Sequence, residues 1–386
     1  MTMTQILRKK LDSPFIGEQL RLARHYWGRT LNEVAEQIGT SRQYVSQLES
    51  GKANPQRGDA VVDMLAQYLC VNEAFFFDRA YRPVAEEQAH FRKLASTKAS
   101  SKHKVLARAA VLDRVIAFVE TRVRLPTIDF PDLSSIHHAE GPEAAAQMLR
   151  ERWGLGNGPI ANMVRVVERA GAVVAFFRDA SAEVDALSFV GKRPVVIRNE
   201  AKISPFRMRF DIAHELGHLI LHEGHVTGDH KSEKEANQFA SAFLMPAVAF
   251  KSMFKLRGDR IDWSVIREIK LKFLVSKAAV LYRAKSLGLL DELRYKSAVI
   301  ALRNKGEKLE EAEDRWQEME KAEVLGQALK VIRDSHSMPV DALISRLNVS
   351  LDFLAEVFPM PAWEPVPPVG GPIRLISSHG VVVDDR

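Results

Sequence analysis

The chain has 386 residues, enough for two or three domains with separate hydrophobic cores. Hydrophobic residues make up 46% and charged residues 27%, which excludes wholesale disorder, and no apolar run is long enough for a membrane-spanning helix. The single cysteine, Cys70, excludes an internal disulfide and a cysteine-rich zinc finger, and with no export signal in the sequence we expect a cytoplasmic protein.

The positive charge is concentrated in the N-terminal third. Residues 1–125 contain 20 of the 55 basic and 13 of the 49 acidic side chains, although the net charge of the whole chain is only +6. This asymmetry indicates either an anionic partner such as nucleic acid or a basic surface that is simply solvated.

Three short helices are predicted in this basic region. The first ends at Gly28, and Thr30 and Glu33 form a capping box for a second helix over about residues 31–38. Ser41 is a suitable N-cap for the third. Two helices joined by a short turn that contains glycine are typical of a helix-turn-helix, whose second helix lies in the major groove of DNA.

The apolar spacing of this helix pair leaves a polar face directed outward. Arg and Gln suit bidentate contacts with guanine and adenine edges, whereas Ser suits phosphates. The candidate DNA contacts are Ser41, Arg42, Gln43, Ser46, Gln47 and Lys52, with Arg57 as a further phosphate contact.

The run TLNEVAEQIGTSRQYVSQLESGKANP resembles the Xre/Cro-repressor type of helix-turn-helix, over roughly residues 16–78. The chain departs from that type at Leu31, where many members have a glutamine. The resemblance implies a double-stranded DNA operator as partner, read by a homodimer at two half-sites about one helical turn apart.

The middle of the chain combines helical and β-rich patterns. A long helix is predicted over residues 105–123. The runs AVVAFF at 172–177 and PVVIR at 194–198 are predicted strands, and residues 188–190 are a third candidate. PVVIR could be an edge strand that accepts a substrate peptide, or an ordinary core strand.

The motif HExxH at residues 214–218 is typical of a zinc hydrolase. On a helix, His214 and His218 differ by about 40° and about 6 Å of rise, so both imidazoles can reach one ion. Glu215 is then placed to act as general base toward a water whose pKa zinc lowers to roughly 7.

A third ligand must come from outside this motif. His222 lies too far along the helix to share the ion, so we expect it either to be a structural histidine or to contact one of the metal ligands. The segment SEKEANQFASAFLMP supplies Glu233 and Glu235, and Glu235 fits a helix-capping role equally well. Asn237 and Asp211 are candidates to orient an imidazole by accepting its other N–H.

The segments RMRFDIAHELGHLILH and EKEANQFASAFLMP, with VDALSF and RPVVIRN upstream, resemble the ImmA/IrrE family of zinc metallopeptidases over roughly residues 160–290. The resemblance implies that Glu235, directly before the Ala-Asn pair, is the third ligand of a Zn²⁺ ion, with Glu233 as the alternative. It also implies a protein substrate, such as a repressor or antitoxin, that is cleaved in a stress, mobile-element or phage response.

The C-terminal quarter is predicted to be mainly helical. Residues 305–323 mix acidic and basic side chains and are expected to form a solvated helix or linker. Residues 324–358 are predicted to be a small helical unit for interaction or dimerisation. Residues 359–372, which hold six of the 17 prolines, are expected to be extended.

The predicted fold is α+β and mostly α. We divide it into a helix-turn-helix domain (1–80), a basic linker and helix (81–130), a peptidase domain with a small sheet (131–290), and a helical region with a proline-rich tail (291–386).

The predicted function is a DNA-binding transcriptional regulator whose zinc endopeptidase domain cleaves a repressor, an antitoxin or the chain itself. For self-cleavage, the Ser/Lys-rich stretch 95–104 is the candidate scissile region. One alternative is a transcription factor whose metal domain is a non-proteolytic ligand or metal sensor. Another is a free-standing protease whose N-terminal helices bind protein.

Overall fold

The fold is α+β and mostly α, as the sequence predicts. A computed structural model describes residues 13–79, 81–86, 89–91, 98–133, 140–177, 186–200, 204–223, 225, 227–335 and 338–358. The proline-rich tail lies outside these described residues. In the part of the chain that the structure describes, no helix is long and apolar enough to cross a membrane.

The N-terminal helices confirm the predicted helix-turn-helix. They are α1 (Gly17–Tyr26), α2 (Leu31–Gln37), α3 (Arg42–Glu49) and α4 (Ala60–Tyr68), followed by a 3-10 turn at Glu73–Phe77. The capping box forms as expected: the Thr30 side chain accepts from the Glu33 amide, and the Glu33 carboxylate accepts from the Thr30 amide at 2.7 Å.

Helices α1 and α3 are held together by a close approach and a buried ion pair. A Cβ atom at Gly17 would lie 2.2 Å from the carbonyl oxygen of Leu48, so only glycine allows this packing. The buried Glu49 carboxylate accepts two hydrogen bonds from Arg24, at 2.5 and 2.9 Å. The recognition helix α3 is therefore fixed on α1.

The predicted basic linker contains a short strand and a long helix, β1 (Ala89–Phe91) and α5 (Ala99–Glu120). Most apolar side chains of α5 beyond residue 104 are buried, as expected of a helix that is apolar on several sides. The predicted scissile stretch is only partly described. Residues 99–104 are helical rather than extended, and residues 95–97 lie outside the described chain.

The sheet has the strand order β1-β3-β4-β2, where β2 is Val173–Phe177, β3 is Ala186–Val190 and β4 is Pro194–Asn199. β4 runs parallel to β2 and antiparallel to β3. The edge-strand interpretation of PVVIR is therefore wrong, because β4 is central and all its residues are buried. A continuous apolar run is typical of such a strand, which is covered on both faces.

The remaining helices enclose the sheet and the HExxH motif. They are α6 (Pro142–Arg152), α7 (Met163–Arg169), α8 (Pro205–Leu221), α9 (His230–Leu244) and α10 (Ala247–Met253); after a hairpin of β5 (Leu256–Arg257) and β6 (Arg260–Ile261) come α11 (Trp263–Phe273), α12 (Lys277–Ser286) and α13 (Glu292–Asn304). Helix α8 packs against β3 and β4 on one side and α9 on the other. The motif therefore lies in the interior.

The acidic stretch 305–323 is not the solvated helix or linker that its composition predicts. Buried Lys270 on α11 lies 2.6 Å from Glu311 Oε2 and 2.9 Å from Asp314 Oδ1. Glu320 is also buried and pairs with the buried Arg209 of α8. The acids of this stretch therefore neutralise cations inside the central domain, and the tertiary contacts reverse the expectation from composition.

The last described helices are α14 (Val324–Ser335), α15 (Val340–Leu347) and α16 (Leu351–Ala355). They pack onto the N-terminal helices of the same chain: Phe353 stacks on Tyr26 with ring centroids 3.8 Å apart. The Asn72 amide donates to the Asn348 carbonyl at 3.0 Å. This predicted interaction unit thus contacts the helix-turn-helix unit of its own chain, and dimerisation stays a prediction.

Candidate metal centre

The two histidines of the motif converge inside α8. His214 and His218 are fully buried, one helical turn apart, and their Nε2 atoms are 3.1 Å from each other. Both rings therefore present a nitrogen to the same point, as the spacing predicts.

A carboxylate from α9 completes this group. Glu233 lies in the first turn of α9, and its carboxylate oxygens are 3.6 Å from His214 Nε2 and 3.3 Å from His218 Nε2. In the described residues, His214, His218 and Glu233 are the group whose donor atoms all lie within 4.8 Å of one another.

Gly217, inside the motif, allows α9 to come this close. A Cβ atom at Gly217 would lie 3.1 Å from the ring of Phe239 and 3.3 Å from the Ala236 Cα. Such distances are tighter than ordinary van der Waals contact, so a larger residue would push α9 and Glu233 away from the histidines.

The placement predicted for Glu235 needs correction. Its Oε2 atom lies 3.1 Å from His222 Nε2 and is not part of the three-residue group. Residues two apart on a helix point about 200° apart, so Glu233 and Glu235 cannot both face the histidine pair. The sequence does not show which of the two glutamates faces this pair. In the structure, the packing of α9 places Glu233 there.

Neighbouring side chains orient both imidazoles. His214 Nδ1 lies 3.1 Å from Asn237 Oδ1, and His218 Nδ1 lies 3.1 Å from His222 Nδ1. Contacts of this kind set the tautomer and direct Nε2 toward the shared point. Asn237 and His222 thus lie where the sequence analysis expects them, whereas Asp211 instead pairs with the buried Arg198 at 3.3 Å.

The predicted general base is buried beside the histidines. Glu215 Oε2 accepts a hydrogen bond from Ser188 Oγ at 2.7 Å, so β3 positions this carboxylate. Ser188 is a residue that sequence reasoning missed, because a serine inside a short apolar strand carries no signal of this role.

A second missed residue, His90, comes from the linker strand β1. Its ring lies parallel to that of His218 with centroids 5.3 Å apart, and its Nδ1 is 2.8 Å from Thr227 Oγ1. Burial, with smaller contributions from neighbouring imidazoles that include His218, lowers the pKa of His90 to about 3. The residue is therefore neutral at physiological pH, and nothing in the sequence links it to a motif more than 120 residues away.

A cleft between α9 and α12 lies beside Glu233. The cleft has a volume of about 440 Å³, and Glu233 and Asn237 line it on the α9 side. Tyr282 and Lys285 face them from α12. Solvent can therefore approach the carboxylate of Glu233 from this side, whereas neither His214, His218 nor Glu215 lines the cleft.

The residues fit a divalent transition metal. Two neutral imidazoles and one carboxylate are a common ligand set of catalytic zinc, which leaves a fourth position for water or substrate. Glu233 Oε1 is buried and accepts no hydrogen bond, although it faces His218 Nε2. A cation would satisfy this oxygen, and manganese or iron could use the same donors.

The predicted DNA-contacting side chains lie on the outer face of α3 and in the turn after it. Ser41 caps α3 by accepting from the Tyr44 amide, while Val45 and Leu48 are buried against the neighbouring helices. Gln47 is half-buried and the others are exposed: Ser41, Arg42, Gln43, Ser46 and Lys52. Arg57 instead has its guanidinium 4.6 Å from the ring centroid of Phe77.

Two family models match this chain, one over the N-terminal helices and one over the region with the metal centre. Residues 16–74 match a family model described as a helix-turn-helix domain, and residues 167–285 match a peptidase family model described as an IrrE N-terminal-like domain. No curated protein matches the chain at a significant level. The chain therefore contains a region that matches helix-turn-helix domains and a region that matches an IrrE-like peptidase domain, the combination that its sequence predicts.

Proposed function

We propose that this chain is a DNA-binding regulator that hydrolyses a peptide bond in a protein substrate. The observation that carries the proposal is Glu215, a buried carboxylate that Ser188 holds and that directly follows His214 in α8, the helix of the two histidines that group with Glu233. A general base next to a three-ligand site is the arrangement that metal-assisted hydrolysis requires.

The side chains have separate tasks in this reaction. His214, His218 and Glu233 would hold the metal ion, which when bound supplies a Lewis acid and acidifies water. Asn237 keeps the His214 ring turned toward the shared point.

The proton transfers fall to Glu215. Its carboxylate accepts a proton from the attacking water, whose oxygen bonds to the carbonyl carbon, and returns that proton to the amide nitrogen as the C–N bond breaks. The products are a carboxylic acid, which then gives up its proton to the solvent, and an amine, so one water is consumed for each bond cleaved.

The substrate proposed is a repressor or an antitoxin, or this chain itself, cleaved in a stress, mobile-element or phage response. The resemblance to the ImmA/IrrE family supports this choice. For self-cleavage, residues 99–104 would first have to leave helix α5, because proteases act on extended backbone.

The test compares wild-type protein with Glu215→Gln, each with zinc or with a chelator. We expect fragments of the chain itself, with new N-termini detected by mass spectrometry, only for wild-type protein with zinc. The variant should still bind zinc, because Glu215 is not in the ligand group. Identical fragments from both proteins would rule out Glu215 as the base.

A non-proteolytic metal sensor is the second candidate, and one contact favours it. His90 belongs to the linker that follows the DNA-binding helices, yet its ring packs on His218. Metal binding could therefore alter the position of the linker. The sensor predicts that Glu215→Gln keeps metal-dependent control of an operator-driven reporter, whereas the peptidase predicts its loss.

A further inference from the structure

Strand β3 is the strand nearest to the proposed reaction centre. Its Ser188 donates to Glu215 Oε2 at 2.7 Å, and β3 packs against α8. One edge of β3 pairs with β4, and the other edge pairs with β1. Both edges of the strand are therefore occupied.

The occupant of the second edge is the linker between the DNA-binding helices and α5. β1 runs antiparallel to β3 with His90 directly opposite Ser188. His90 is buried, its ring lies over His218 at 5.3 Å, and it is tied to Thr227. This strand of three residues thus forms the edge of the sheet beside Ser188, the residue that contacts the general base.

A substrate peptide would need the same position. Extended peptides are recognised by pairing with a strand edge, because main-chain hydrogen bonds accept many sequences. For Glu215 to reach a scissile amide, the peptide backbone has to pass close to Ser188 and His218. The strand edge that passes there is the edge of β3 that β1 covers.

We propose that β3 is the strand with which substrate pairs, and that Ala89–Phe91 occupies the substrate position and blocks the centre. The inference rests on the proposed peptidase function and names its substrate class. That class is an extended protein segment that pairs antiparallel with β3 and places one side chain over His218, where His90 lies. Release of β1 admits the substrate.

The position of β1 in the chain connects this block to the DNA-binding unit. Helix α1 contacts α5 through His25 and His103, whose rings stack with centroids 4.5 Å apart. β1 lies between these two helices in sequence, and a shift of α1 relative to α5 is the change that we infer releases β1. Three paired residues form a short strand that such a shift can displace.

The test displaces β1 from the edge of β3 by substitution and then adds a separate peptide with the sequence of that segment. Adjacent residues of an antiparallel strand direct their N–H groups to opposite sides, so the double variant Ala89→Pro/His90→Pro removes one N–H that faces β3. A milder variant, Ala89→Gly/His90→Gly, keeps every N–H but removes the side chain that packs on His218. The control, Arg260→Pro, disrupts the exposed β5–β6 hairpin instead.

The probe is a fluorescein-labelled peptide of sequence EEQAHFRKL, titrated into each full-length protein and followed by anisotropy. Wild-type protein has its own segment in place at a high effective concentration, so opening the edge should tighten binding by about 10-fold or more. Arg260→Pro should bind the peptide like wild type, and a peptide with proline in place of its alanine and histidine should bind to none of the proteins, because it lacks an N–H that pairs with β3. Circular dichroism checks that each variant is folded.

Binding that is equal in wild-type and opened proteins, or absent from both opened variants, overturns the inference. This readout does not depend on hydrolysis and can be repeated in the Glu215→Gln background. If opened proteins bind the peptide but no zinc-dependent cleavage is found, the pairing of an extended segment with β3 holds and the peptidase function fails. If wild-type protein shows that cleavage and the opened proteins bind no peptide, the peptidase function holds and the inference fails.

Discussion

The choice between Glu233 and Glu235 as metal ligand can be tested by a matched pair of substitutions. Each glutamate is changed to glutamine, which removes the negative charge and leaves the size of the side chain unchanged. Glu233 contacts both ligand histidines directly, at 3.6 and 3.3 Å. Glu235 is connected to His218 through His222, by two contacts of 3.1 Å.

These geometries predict different losses of zinc affinity. Side chains that orient a ligand typically change metal affinity by about 10- to 100-fold, so Glu235→Gln should weaken zinc binding by about 10-fold. Glu233→Gln removes a ligand, so its loss should be larger, more than about 100-fold. Glu215→Gln is the internal control and should bind zinc like wild type.

The assay is a competition titration with a chromophoric zinc chelator at pH 7, supported by metal analysis of the purified proteins. Circular dichroism confirms that each variant is folded. The assignment is refuted if Glu235→Gln loses zinc while Glu233→Gln retains it. Equal losses in the two variants would also contradict it, because the structure gives them unequal contacts.

The other predictions concern DNA, the buried acids and pH. Arg42→Ala should cost about 1–3 kcal/mol of operator binding and relax base preference. Lys52→Ala should weaken binding to all sequences and reduce the slope of the logarithm of the binding constant against the logarithm of salt concentration by about 1. Titrations of DNA at several salt concentrations measure both effects. Lys270→Met leaves acidic groups buried without their cation, so it should destabilise the fold by about 3–5 kcal/mol and lower Tm by on the order of 10 °C; an unchanged Tm would show that these acids are solvated. Burial, followed by the charge of Arg24, lowers the pKa of His25 from 6.5 to about 3. Between these two values the unfolded chain binds a proton at His25 that the folded chain does not, so the free energy of unfolding should fall as pH drops through this window. Denaturant titrations of His25→Gln should show a smaller fall, and a fall equal to that of wild type would contradict the assignment.

Local sequence was sufficient to predict an interaction wherever its two partners lie within one helical turn. The capping box of Thr30 and Glu33 and the pairing of His214 with His218 both follow from helix geometry. The outward position of Arg42 on α3 follows from the same periodicity. In these cases the partners are three or four residues apart, so their relation does not depend on the rest of the fold.

Composition was misleading where distant segments meet. The acidic stretch 305–323 has the charge pattern of a solvated helix, yet Glu311 and Asp314 bind the buried Lys270, more than 40 residues earlier in the chain. The helices after residue 323 pack on the DNA-binding unit, with Phe353 on Tyr26. Such pairings depend on which surfaces the fold brings together, and charge periodicity carries no information about them.

The sequence by itself predicted the two kinds of domain, the helix that bears the motif, and Glu215 as the candidate general base, because each is a local pattern with a fixed geometric meaning. Only the tertiary structure decided that Glu233 rather than Glu235 faces the histidines, and that Ser188 and His90 join them. Those residues come from a second helix and from two strands. Their meeting depends on the rotation of α9 about its axis and on the order of strands in the sheet, and both are set by packing of the whole chain.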